Sequence, residues 1–162
     1  MNENLWAPWR LKYVEKAGSS GNIFLDLPAQ NDDRKNFILV RGETAFVLLN
    51  AYPYTSGHLM VAPYRQTNEF HLMSDQELLE INQLLAKSVR WLKEAYNPDG
   101  FNVGLNIGSA AGAGIPIHLH WHIVPRWSGD TNFMTTIGEV RVMPATLEES
   151  YDKLMEIIRN DP

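Results

Sequence analysis

Three of the chain's five histidines fall within five residues, in the run Ile117-His118-Leu119-His120-Trp121-His122-Ile123-Val124-Pro125. Alternation with Leu, Trp and Ile is the pattern of an extended strand, whose side-chain period of two places all three imidazoles on one face. A neutral imidazole is a nucleophile, a general base and a metal ligand. The run therefore has two chemical readings. In one, the three rings hold zinc or another divalent metal with a position open for water. In the other, one histidine attacks an electrophilic phosphorus and is transiently nucleotidylated, while its neighbours orient it and neutralise charge. Three imidazoles on one face are improbable as idle residues in a chain that has only five.

The flanks bear on the choice. Asn106-Ile107-Gly108-Ser109-Ala110-Ala111-Gly112-Ala113-Gly114 is a loop of small residues in which backbone N–H groups and the Ser109 hydroxyl can approach an anion. Such a loop beside the histidines favours phosphate over metal, although alone it is only a glycine-rich connection. Downstream, Arg126 is a candidate phosphate clamp and equally a surface ion pair. Trp127 reads as packing. His58 follows Gly57 after a turn and suits a hydrogen bond that fixes a tautomer in the triad. His71 reads as structural.

These side chains need a scaffold. Phe37–Val40, Ala45–Leu49 and His58–Ala62 are short runs of strand formers, the first two separated by Arg41-Gly42-Glu43-Thr44, whose glycine suits a hairpin. Phe101–Ile107 and Ile117–Pro125 read as a fourth and fifth strand. Ser74 offers an N-cap, and Leu78, Ile81, Leu84, Leu85, Val89 and Leu92 recur at helical spacing, which predicts a helix over Asp75–Tyr96 that stops before Pro98. A last helix is expected over Leu147–Arg159. Residues 1–36 read as irregular, anchored by Trp6, Pro8, Trp9 and Tyr13. The pattern is that of one α+β domain, a mainly antiparallel five-stranded sheet with one long helix and a C-terminal helix.

Composition narrows the setting. With 162 residues, 44% hydrophobic and 20% charged, the chain suits one globular domain with a real core. Fourteen basic against 19 acidic residues give a net charge of -5, which argues against a broad nucleic-acid surface. The absence of cysteine removes disulfides, thiol nucleophiles and thiolate zinc sites. No apolar run approaches the roughly 20 residues that span a bilayer, and no signal peptide is legible, so a cytoplasmic protein without membrane partners is expected.

His118 to Val124 matches in full the His-φ-His-φ-His-φ-φ signature, φ being apolar, of the histidine triad family of nucleotide hydrolases and transferases. Leu48-Leu49-Asn50 and Ser56-Gly57-His58 resemble that family's nucleotide-binding strand pair, and Asn106 to Ile115 sits where it has its phosphate loop. The resemblance implies the histidine triad fold, His120 as the nucleophile on the α-phosphorus of an adenine dinucleotide, and an AMP-histidine intermediate. It implies that His122 binds phosphate oxygens and assists the leaving group. His118 would orient the site with His58 behind it, while Asn106, Gly108, Ser109, Gly112, Gly114 and Ile115 hold phosphate. Phe24, Leu27, Leu48 and Asn50 are nominated for base and ribose, Asn50 for the ribose.

Two departures refine the subclass. Many members carry Gln where this chain has Gly114, and some bind structural zinc through Cys-x-x-Cys where this chain has Asn22-Ile23-Phe24-Leu25, so structural zinc is not expected. Leu5–Arg10 and Pro125–Met134 are similar to the bacterial branch of diadenosine tetraphosphate phosphorylases, which fits the glycine at 114. Phosphorolysis to ADP and ATP is thus the expectation, with hydrolysis by the same histidine, a three-histidine metalloenzyme or a non-catalytic nucleotide sensor as alternatives. No tightly bound cofactor is expected beyond magnesium arriving with the polyphosphate. Family members commonly form homodimers, so a homodimer or higher homo-oligomer is expected.

Overall fold

Short runs of strand formers separated by turns build a sheet, and the long amphipathic run after Ser74 covers one side of it. A computed structural model describes residues 21–130 and 145–161. Its strands are β1 (Ile38–Arg41), β2 (Ala45–Leu49), β3 (Leu59–Pro63), β4 (Gly100–Leu105) and β5 (Trp121–Arg126), and its helices are α1 (Ile23–Ala29), α2 (Asp75–Tyr96) and α3 (Leu147–Arg159). The five strands form one sheet in the order β1-β2-β3-β5-β4 with every pairing antiparallel. The expected α+β class and both long helices are observed. The tryptophan anchors near the N-terminus and residues 131–134 lie outside the described residues.

Local chemistry explains the helix ends. Ser74 with Glu77 and Thr146 with Glu149 form complete capping boxes at α2 and α3. Helix α2 terminates at Asn97, which adopts the left-handed conformation just before Pro98. Glu80 on α2 clamps the β1–β2 hairpin by accepting from the amides of Glu43, Thr44 and Ala45 and from the Thr44 hydroxyl. A Cβ at Gly42 would lie 2.4 Å from Glu80 Oε1 and 2.8 Å from the Ala45 carbonyl. The glycine therefore makes room for a carboxylate.

Strands β1 and β3 each lie one residue later than expected, and three elements differ by more. Helix α1 lies inside the segment read as irregular; seven residues with an internal proline give too few turns for a clear period. Strand β4 covers Gly100–Leu105, because the chain leaves the sheet before the turn at Gly108. Strand β5 starts at Trp121, so His118 and His120 precede it. Its partner β3 ends at Pro63, which has no N–H to give, and the Leu119 amide instead donates to the Thr67 carbonyl at 2.8 Å.

The alternation survives this change. Leu119, Trp121 and Ile123 join Val47, Leu49, Leu59 and Val61 in a core closed by Ile81, Trp91 and Leu92 of α2 and Tyr151 and Leu154 of α3. The opposite face carries a smaller core of Phe24, Ile38, Phe46, Leu48, Met60 and Ala62. The histidines point to that second face.

Candidate active site

The turn before β3 sets one end of the site. Gly57 has φ +78°, and a Cβ there would lie 2.9 Å from both Leu92 and Tyr96, so only glycine lets this turn pack against α2 and lead into His58. The Thr55 hydroxyl donates to the Pro125 carbonyl at 2.9 Å and ties the same turn to β5. His58 is fully buried.

Hydrogen-bond partners then assign each ring's tautomer. The Tyr54 amide can only donate, and it lies 3.1 Å from His58 Nδ1. That nitrogen carries the lone pair, and the proton sits on Nε2. His58 Nε2–H donates to His122 Nδ1 at 2.9 Å, which leaves the His122 proton on Nε2. His120 Nδ1 lies 2.9 Å from the His118 carbonyl, an acceptor only, so Nδ1 is protonated and Nε2 holds the lone pair. His118 Nε2–H donates to the Pro63 carbonyl at 2.8 Å, and its Nδ1 accepts from the Asn22 side-chain amide at 2.8 Å.

The result is a nucleophilic nitrogen beside an N–H donor. The His120 and His122 rings have centroids 5.0 Å apart at an interplanar angle of 73°. Burial holds both His118 and His120 below the ordinary imidazole value; nearby His120 adds to the effect at His118, and the carbonyl hydrogen bond opposes it at each ring. The Phe24 ring lies against both, with centroids 5.2 Å from His118 and 4.7 Å from His120. A three-imidazole metal cage does not fit this arrangement, because both His118 ring nitrogens are engaged. Among the described residues no group of three His, Cys, Asp or Glu is placed to hold a metal ion. At the position of the family's Cys-x-x-Cys, Asn22 bonds His118 and Leu25 is exposed.

One positional expectation is corrected: His58 stands behind His122, not behind His118. It occupies the same face as Met60, whose backbone pairs with His122 in the β3–β5 ladder. Asn50 lies on the far side of His58, its amide nitrogen 3.4 Å from His58 Nδ1, and its Oδ1 accepts from the Tyr52 amide at 2.9 Å.

The small-residue loop leaves β4 where Gly104 pairs with His122 and Leu105 with Trp121, so Asn106 departs beside the segment that carries His120. Gly108, at φ +79° and ψ 162°, opens a single 3₁₀ turn over Ser109–Ala111. The amides of Ala111 and Ala113 donate to the Gly108 carbonyl and that of Gly112 to the Ser109 carbonyl. Those three N–H groups close the loop on itself, which reduces the anion cradle expected from it. Ser109 is exposed, while Gly112, Gly114 and Ile115 are half-buried. Ile115 packs on the smaller core, and its carbonyl accepts from the His118 amide at 3.3 Å.

Of the residues nominated for base and ribose, Phe24 and Leu48 are each 1% exposed and form the floor behind the histidines. Leu27 and Asn50 are half-buried. Arg126 is engaged with Asp130 at 2.5 and 2.8 Å and with Asn102 at 2.8 Å, so it serves as an ion pair in this structure. Trp127 donates from Nε1 to the Tyr96 carbonyl at 3.4 Å and packs as expected. His71 is exposed in a short 3₁₀ turn, 3.6 Å from Glu69.

Sequence reasoning missed Asn22 and Tyr54. Asn22 caps α1 and had a legible signal, an N-cap residue before an apolar pair, hidden by the shortness of the helix. Tyr54 contributes a backbone amide and a ring 4.6 Å from His58 and 6.0 Å from His122, and nothing in a turn sequence marks that.

Imidazoles on one face of an antiparallel sheet, flanked by a glycine-rich loop, define an α+β protein of the histidine triad class. It belongs to the HIT family, whose HIT domain matches residues 31–129. Among particular proteins, the AP-4-A phosphorylase of Mycobacterium tuberculosis is 40% identical over 157 residues, covering 91% of this chain and 80% of that one. The bis(5'-adenosyl)-triphosphatase of Saccharomyces cerevisiae is 29% identical over 94 residues, covering 56% of this chain and 44% of that one. A solved zinc-bound histidine triad family protein from Mycobacterium smegmatis shares the fold with a TM-score of 0.63 at 23% identity, over 93% of both chains. Among the described residues no helix is long and apolar enough to cross a membrane.

Proposed function

We propose that the chain transfers AMP from diadenosine polyphosphates through a covalent intermediate on His120, with inorganic phosphate as acceptor, so that diadenosine tetraphosphate gives ADP and ATP. The observation that carries this reading is the His120 tautomer: the His118 carbonyl holds the proton on Nδ1 and presents a basic Nε2. In the first step Nε2 bonds to the α-phosphorus and the bond to the departing nucleotide's bridging oxygen breaks; the nucleotide leaves as a phosphate oxyanion whose charge the His122 Nε2–H steadies by a hydrogen bond. In the second, a phosphate oxygen attacks the same phosphorus and the P–N bond breaks, which frees ADP and returns the lone pair to His120 Nε2. The 40% identity to an AP-4-A phosphorylase supports the substrate class and the acceptor.

Hydrolysis is the second reading, supported by the likeness to a bis(5'-adenosyl)-triphosphatase. Water then takes the place of phosphate and the products are AMP and ATP. Under either reading magnesium enters with the polyphosphate as part of the substrate. A homodimer belongs to the proposal as well, with the outer edge of β4 as its most suitable surface. Incubating the protein with diadenosine tetraphosphate, with and without phosphate, tests the acceptor. ADP formed only with phosphate supports phosphorolysis, AMP formed regardless of phosphate replaces it with hydrolysis, and tight binding without product makes the chain a sensor. His120→Ala is expected to abolish turnover with the fold retained; unchanged turnover in that variant refutes the covalent route.

A further inference from the structure

We propose that Asn22 is a positioning residue for the nucleophile: its side-chain amide holds His118 neutral and in one tautomer, and through His118 it sets the carbonyl that fixes His120. The inference rests on the reading of His120 as the nucleophile. Its physical basis is a chain of groups with no freedom to exchange roles. Asn22 Oδ1 accepts the Phe24 amide at 3.1 Å, while Nδ2 donates to His118 Nδ1 at 2.8 Å and lies 3.2 Å from Gln66 Oε1. A flipped amide would set a donor against the Phe24 N–H and one oxygen against another, so the orientation is determined.

With a donor at Nδ1, His118 must keep its proton on Nε2, where the Pro63 carbonyl accepts it at 2.8 Å. The ring is thus held at both ends. Its backbone carbonyl in turn accepts the His120 Nδ1–H at 2.9 Å. Asn22 is 8% exposed and His118 2%, so water competes poorly at this junction. The same asparagine caps α1, and α1 carries Phe24 against His118 and His120. One side chain therefore joins the placement of a helix to the protonation state of a triad histidine.

Among the described residues little else would set the charge of His118. His120 is the ionisable group that acts on its ring. Gln66, Phe24 and the Pro63 carbonyl are neutral, and Asp26 on α1 is exposed, its carboxylate lying over Gly21. A carboxylate in place of the Asn22 amide would accept from Nδ1–H. His118 would then donate from both nitrogens as an imidazolium, next to the nucleophile.

Two substitutions separate this role from helix capping, because aspartate and serine are both good N-cap residues. Ring 15N NMR of His118 across pH, together with pH profiles of kcat and kcat/KM, reads the outcome. In Asn22→Asp, His118 is expected to titrate at higher pH than in the unaltered protein, and the acid limb of kcat should move up with it. In Asn22→Ser, which keeps the cap and withdraws the donor from His118 by one atom's reach, the His118 signals should show a mixture of tautomers, and kcat should fall about tenfold with KM little changed. His118 signals and pH profiles identical to the unaltered protein in both variants, with α1 intact by amide NMR, overturn the proposal. The NMR readout needs no substrate, so a failure of AMP transfer in the unaltered protein would count against the proposed function and leave the His118 result standing on its own.

Discussion

Replacing His58 with leucine should impair departure of the leaving nucleotide more than attack on phosphorus. His58 Nε2–H holds His122 Nδ1 at 2.9 Å, and the Tyr54 amide fixes the orientation of His58 in turn. With the imidazole gone, His122 is no longer confined to the tautomer that carries its proton on Nε2, so it no longer holds that N–H ready for the charged oxygen of the departing nucleotide. A hydrogen bond to a group that becomes charged contributes about 1.5–3 kcal/mol. At about 1.4 kcal/mol per factor of ten, that is a loss of roughly 10- to 150-fold in the first step. Single-turnover rates with diadenosine tetraphosphate measure that step directly. An AMP ester of an acidic phenol provides the control, because its leaving phenolate spreads its charge over the ring and depends little on that hydrogen bond. The expected pattern is the full loss on the dinucleotide and little loss on the ester. Equal losses on both substrates, or none on the dinucleotide, would refute a role for His58 through the proton on His122.

Other expectations follow from the same geometry. Burial lowers the values of His118 and His120 in the folded chain, so they bind fewer protons folded than unfolded; the stability this represents is complete above about pH 6.5 and declines as pH falls through the lowered values. Urea unfolding between pH 7.5 and 5 should show that decline, and a flat profile would contradict it. Glu77, held at about 2 by Arg65 and opposed by burial, acts in a separate window, its contribution being present above about pH 4.3 and lost as pH falls toward its folded value. Glu77→Ala removes the α2 capping box and both bonds from Arg65, at 2.8 and 2.9 Å, and should cost about 2 kcal/mol, or roughly 4–8 °C in Tm by calorimetry. Among the described residues β4 pairs with β5 alone, and Val103 at its centre is 47% exposed. Val103→Lys should therefore shift a dimer toward monomer in light scattering, since a charge blunts edge pairing; an unchanged mass would place the contact elsewhere.

Much of the scaffold was legible because its signals are local. A cap three residues before a glutamate and a 3.6-residue apolar period are both contained in one stretch of chain, and α2 and α3 appear where those signals lie. Strand ends were less legible, because a strand ends where its neighbour stops pairing; β5 lost its first residues to the proline that ends β3. Helix α1 was too short to show a period. Gly42 looked like a turn residue and instead yields space to a carboxylate 38 positions away, on Glu80.

Sequence by itself determined that three imidazoles would share a face, because the period of an extended chain is independent of what surrounds it, and it determined that a loop of small residues would precede them. Which nitrogen of each ring is basic was decided only by the tertiary structure. That choice rests on the Tyr54 amide, the Pro63 carbonyl and the Asn22 side chain, the last of which lies 96 residues from the ring it holds. A tautomer follows from whichever donor or acceptor packing brings within about 3 Å, and no spacing rule along the chain encodes that distance.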